Sequence, residues 1–132
     1  MTLEQALHQR WSDDPTLNAL LPSDKVTTGR STGGTLPRAT IGRRTRRAVC
    51  RTNSGDSLEQ VVVEVRLLHG SFDDGTAVVQ QFLAVFDRSQ FGLSGGAEVV
   101  NLRRVKDDCR QEKDGTWLFR VQMLARVHRP AT

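Results

Sequence analysis

With 132 residues, 37% of them apolar and 26% charged, the chain has material for one domain that buries about 65 to 70% of the surface its unfolded form would expose. A second domain would have no room for its own core, and with 5% aromatics and no Tyr the one core must be built from Val, Leu, Ala and Phe. The formal charge is +4, and Lys25, Lys106 and Lys113 are the only lysines. Arginine suits phosphate and carboxylate forks, but the bias also follows from the coding composition of a source genome, so charge alone does not establish a nucleic-acid partner. Cys50 and Cys109, the only cysteines, have no metal-type spacing. With no signal peptide and no apolar run near the length of a membrane span, the expectation is a cytosolic chain with reduced thiols and no membrane partner; a bridge between strands stays open.

Thr2 with Gln5 forms a capping box, after which Leu3, Leu7 and Trp11 share one helical stripe that should end near Ser12. Asp14-Pro15 restarts the pattern as N-cap and first helical residue, and Leu17, Leu20 and Leu21 give an apolar face before Pro22 stops it. Thr27 to Pro37 has no hydrophobic period and three glycines, so it predicts a mobile loop. Arg30 in its middle is either a contact residue or a solvated arginine.

In Arg38 to Thr52, Ala39, Ile41, Ala48 and Cys50 alternate with polar positions, which predicts a hairpin or two short edge strands around Gly42 to Thr45. Six arginines, Arg38, Arg43, Arg44, Arg46, Arg47 and Arg51, fall within fourteen residues. They form either a basic ribbon facing nucleic acid or an acidic partner, or a solvated edge whose charge discourages aggregation. No aromatic is interleaved, so the stacking platform of a single-strand binder is missing.

Val61, Val63, Val65 and Leu67 then alternate as a strand, and after His69-Gly70 the period changes. Val78, Val79, Phe82, Leu83, Val85 and Phe86 recur at helical spacing over Asp73 to Asp87, with Asp73 and Asp74 where the helix dipole favours anions. Gly92 to Gly96 reads as a loop. Ala97 to Val127 reads as a long hairpin turning at Glu112 to Thr116 with Gly115 left-handed, which pairs Cys109 with Phe119, Asp108 with Arg120, Val105 with Met123 and Leu102 with Arg126. Trp117, Phe119, Val121, Met123, Ala125 and Val127 then share a face. Leu118, Leu124, Val100, Val62 and Leu68 need cover from the N-terminal helices or from another subunit.

His8, His69 and His128 lie far apart without metal-type neighbours, no glycine loop joins a strand to a helix, and Asp73-Asp74 and Asp107-Asp108 have ordinary structural roles. Catalytic residues, metal ligands and cofactors are therefore not expected. The fold expected is α+β, a small antiparallel β-sheet with a long C-terminal hairpin, one main amphipathic helix on one face and short N-terminal helices, in a single domain over 1–132.

In this order the chain resembles the tail completion, or tail terminator and head-tail joining, proteins of long-tailed bacteriophages over nearly its full length. Ala6-Leu7 to Trp11, the turn Asp14-Pro15-Thr16-Leu17-Asn18-Ala19-Leu20-Leu21 and Val26 are similar to that family's opening. Leu36-Pro37-Arg38-Ala39-Thr40-Ile41-Gly42 is similar to its Leu-Pro-Tyr-x-x-Ile-Gly strand, with Arg38 where the family carries an aromatic. Val61 to Leu67 and Ala77 to Phe86 resemble its central strand and helix. The resemblance implies a non-enzymatic virion subunit of the tail or neck, assembled in the host cytoplasm. It implies a homo-oligomeric ring, commonly six-fold, that meets the tail tube protein and the head-tail connector or adaptor while DNA passes through its channel without sequence recognition. Arg30, Arg38, Arg43, Arg44, Arg46, Arg47 and Arg51 are then the candidates for ring contacts or channel lining, and replacing Arg43, Arg44, Arg46 and Arg47 with Gln should leave folding nearly intact. Two other classes stay open: a basic nucleic-acid-binding module using the Arg38 to Arg51 ribbon, and a small-ligand enzyme of α+β type.

Overall fold

The fold is that of a computed structural model, which describes residues 2–29, 34–51 and 55–130 and, over 47–51, the backbone alone. Helix α1 (Leu3–Asp13) opens with the expected capping box: the Thr2 hydroxyl accepts from the Gln5 N–H while the Gln5 side chain accepts from the Thr2 N–H. Asp14 closes α1 and caps α2 (Pro15–Leu20), its carboxylate accepting from the Leu17 N–H. Leu3, Leu7, Trp11, Leu17 and Leu21 are buried, and the Trp11 indole N–H donates to the Leu21 carbonyl. Leu20, expected on the apolar face, is 40% exposed.

Among the described residues six strands form one sheet in the order β1-β2-β3-β6-β5-β4: β1 (Val26–Thr28), β2 (Arg38–Arg51), β3 (Ser57–His69), β4 (Ser89–Gly92), β5 (Glu98–Gln111) and β6 (Trp117–Arg129). All pairs are antiparallel except β1 with β2. Three expectations are corrected. The stretch from Arg38 is a single fourteen-residue strand, not a hairpin; Gly42 to Thr45 is a bulge, where the pairing with β3 skips Arg44. Thr27 and Thr28, assigned to the loop, extend β1, and residues 30–33 of that loop lie outside the described residues. Gly92, placed at the start of a loop, instead closes the edge strand Ser89 to Gly92. The two cysteines sit on β2 and β5 with β3 and β6 between them. Three steps of ~4.8 Å between neighbouring strands put them beyond the Cα separation a disulfide can bridge.

The C-terminal hairpin turns as expected, with Glu112 N–H donating to the Thr116 carbonyl at 2.7 Å and Gly115 at φ 90°. Cys109 pairs with Phe119 and Asp108 with Arg120. Upstream of Lys106 the expected register fails: a bulge at Arg104/Lys106 gives Arg104–Met123 and Leu102–Ala125, and another at Val99/Asn101 gives Val99–Val127. Each bulge adds one unpaired residue and shifts everything upstream.

Helix α3 (Phe72–Phe86), capped by Ser71 rather than starting at Asp73, lies across β3 and β6 with Val78, Phe82 and Phe86 buried. The face it covers carries Val61, Val63, Val65 and Leu67 of β3 and Phe119, Val121, Met123, Ala125 and Val127 of β6, all buried. Gly75 brings α3 down onto the sheet, since a Cβ there would stand 2.3 Å from the Phe119 ring. Trp11 meets Phe82, and Phe82 meets Phe86, at ring separations of 5.7 and 4.6 Å, which ties the N-terminal helices into the same core.

No described helix packs on the other face. Leu118 is nonetheless 5% exposed, and Val62, Leu68 and Leu124 are half-buried among their sheet neighbours, while Val100 stays 38% exposed. The N-terminal helices do not cover these residues, because they lie with α3 on the opposite side.

Candidate assembly surface

The basic ribbon is β2 itself, and its partner strand supplies the counter-charge. Glu59 and Glu64 stand on β3 and are only 6% and 8% exposed. A carboxylate this buried must be paired and hydrogen-bonded to remain ionised. Arg46 grips Glu59 with two bonds, Nη2–Oε1 at 2.6 Å and Nε–Oε2 at 3.1 Å, and Arg129 of β6 adds a third at 3.1 Å. The hydrogen bond from Arg46 is the main reason that the Glu59 carboxyl is held below the usual carboxylate range, with Arg129 assisting against the opposing effect of burial.

Glu64 lies on the uncovered face opposite Gln122. Its Oε2 accepts from Arg44 Nη1 at 2.8 Å and from Gln122 Nε2 at 3.0 Å, and its Oε1 is 3.3 Å from Arg66 Nε. Burial alone would push this carboxyl up, but the bonds from Gln122 and Arg44 and the charges of Arg44 and Arg66 pull it down. Arg44 reaches Glu64 because it is the bulged residue of β2, which aims its side chain to the uncovered face while Arg43 and Arg46 pair into the register of the helix-covered face.

The candidate arginines are thus not one surface. Arg43 forks onto Glu4 of α1, with bonds of 2.9 and 3.3 Å, and fastens the helix to β2. Arg38 donates to the Gly34 carbonyl. Arg44 and Arg46 end on buried carboxylates on opposite sides of the sheet. Arg30 lies outside the described residues, and Arg47 and Arg51 are described by their backbone alone. Because Arg44 and Arg46 cap buried charges, the four-arginine replacement cannot be neutral for folding as expected from the sequence. Glu64 was not among the sequence candidates; the available signal was a lone acid inside the β-branched run Val61-Val62-Val63-Glu64-Val65.

Bases nevertheless dominate the uncovered face. By the strand register it carries Arg66, Arg103, Lys106, Arg110, Arg120 and Arg126 against Glu64, Glu98 and Asp108. Arg120 and Asp108 form a two-bond fork at 2.8 and 2.9 Å, which lowers the Asp108 carboxyl and raises the Arg120 guanidinium. The histidines sit in three separate places: His8 beside the Ser23 carbonyl, His69 accepting from the Ser71 N–H, and His128 beside Asp56.

The family model for Tail completion protein gp17 matches residues 5–128. No curated protein sequence matches significantly. Among solved structures, a chain of the "Virion of native gene transfer agent (GTA) particle" superposes with a TM-score of 0.72 at 17% identity, covering 96% of this chain and 94% of that one, a likeness of fold. With nearly the whole of its length matched, the chain belongs to the tail completion proteins, structural components of bacteriophage tails.

Proposed function

We propose that this tail completion protein is a tail terminator, whose copies assemble, six to a ring, on the head-proximal end of the tail tube and join it to the head connector while DNA passes through the channel. The observation that carries this reading is the internal neutralisation of the basic strand. A surface that grips DNA leaves its guanidinium groups free for phosphates, whereas Arg43, Arg44 and Arg46 are each taken up by a carboxylate. The uncovered face keeps a moderate positive balance with acids interspersed, which suits a wall that DNA slides past. Light scattering and negative-stain images of the purified protein test the assembly, with rings of about six copies expected. A protein that stays monomeric at high concentration and on tail tubes would overturn the reading.

A further inference from the structure

Both edges of the sheet are half covered, at opposite ends. On one edge β1 pairs only with Ala39 to Ile41 of β2, and among the described residues no strand pairs with the outer side of β2 from Gly42 to Arg51. On the other, β4 pairs with β5 only as far as Leu102, and the next outward N–H, that of Arg104, is taken by the Asp87 carboxylate at 2.8 Å. From Lys106 to Gln111 the outer side of β5 has no described strand beside it. Residues on the helix-covered face turn their backbone groups outward at these edges: the carbonyl of Ile41 accepts from Gly29 and that of Leu102 from Arg88. By the same register Asp107, Cys109 and Gln111 present N–H and C=O to the outside.

We propose, resting on the ring reading above, that neighbouring copies join through these edges, the outer side of β5 from Lys106 to Gln111 pairing antiparallel with the outer side of β2 from Gly42 to Arg51 in the next copy. The sheets then fuse into one closed wall, with the helices outside and the uncovered face toward the channel. The geometry meets the condition for closure. Arg46, in the middle of the free β2 edge, is level with Val61 of β3, and the residues of the free β5 edge that share its face, Asp107 and Cys109, are level through Val121 and Phe119 with Val65 and Leu67. Because paired residues must share a face, each copy steps four or six residues along the strands, ~14 or ~20 Å, while its four long strands span ~19 Å across, so the strands incline by roughly 35 or 47° to the ring axis. Closed barrels incline theirs by about 35 to 45°.

The hand is right as well. Seen from the helix side with β3 pointing up, the outward carbonyls of Ile41 and Leu102 place β2 to the left and β5 to the right. The junction therefore climbs to the right, and the strands coil in the right-handed sense that follows from their twist. The bulges and charges along both edges deter pairing with arbitrary strands and admit few registers.

Cys109→Pro tests the junction. It removes an outward N–H that is unpaired in the single copy, at an edge position where proline is tolerated. The melting temperature and circular dichroism of the single copy should be preserved while light scattering shifts from rings to single copies; Cys109→Ser should still form rings. In case the proline variant fails to fold, amide exchange on the unsubstituted protein gives a second reading: Asp107, Cys109 and Gln111 should slow by about tenfold or more on assembly. Rings that survive Cys109→Pro, unprotected β5 amides in assembled rings, or association that stops at a symmetric dimer would overturn the junction while leaving the terminator reading standing. An unsubstituted protein that never assembles would sink both.

Discussion

Glu59 and Glu64 set the acid limit of this protein. Both carboxyls are lowered in the fold, Glu59 chiefly by the Arg46 hydrogen bond and Glu64 by bonds from Gln122 and Arg44 that outweigh burial. A carboxyl lowered by folding contributes stability that is complete above its unfolded value, 4.5, and disappears as pH falls through the folded value. Urea midpoints should therefore hold steady from pH 7 to 5 and drop below about pH 4.5. Glu64→Gln should cost about 1 to 3 kcal/mol at pH 7, less than a fully buried pair because Arg44 and Arg66 are half exposed, and should flatten the acid drop. An unchanged acid profile in a Glu59→Gln/Glu64→Gln variant would remove these two residues from the account. The sequence showed the arginines and not their purpose, since an isolated glutamate in a valine run says nothing of which distant side chains will meet it.

At the scale of elements, the strength of the periodic signal decided what could be read. The capping box, the Asp14-Pro15 restart, the alternation of β3 and the stripe of α3 are each long or chemically distinct, and all stand in the structure. Strands β1 and β4, three and four residues long, are too short to carry a period and owe their conformation to the strands beside them. The bulges were illegible because either register of β5 keeps some apolar residues inward, and Val105, expected in the ladder, is instead 54% exposed at a bulge. The helix itself is testable. Phe82→Ala should cost roughly 3 to 5 kcal/mol, since the ring is fully buried between Trp11 and Phe86. Gly75→Val should destabilise by about 1 to 3 kcal/mol despite the poor helix propensity of glycine, because the added carbons meet Phe119. Thermal or denaturant melts that leave both variants at the stability of the parent would show that α3 does not pack as described.

For the whole molecule, the sequence order was enough to place the chain in its family, but the division of labour between the two faces emerged only with the strand register. One face holds the core; the other is a charged wall in which acids restrain bases. That restraint has a measurable consequence for DNA. Affinity for phosphate grows with each free guanidinium, and log K falls with log salt by about 0.9 for every phosphate contact. The unsubstituted protein should bind duplex DNA weakly, without sequence preference, and lose it between about 50 and 200 mM salt. Glu64→Gln removes the charge that holds Arg44 and Arg66. It should raise non-specific affinity and steepen the salt slope by up to about 1.8, the share of two added contacts. Fluorescence anisotropy with two unrelated duplexes across a salt series gives both quantities. In a phage complementation assay the same variant should retard DNA passage more than its loss of stability accounts for, while Arg44→Gln, which removes a base instead, should not. Binding to one sequence that persists at ~200 mM salt would show base readout in place of a restrained wall. An unaltered salt slope in Glu64→Gln would show that Arg44 and Arg66 are held away from DNA by something other than this carboxylate.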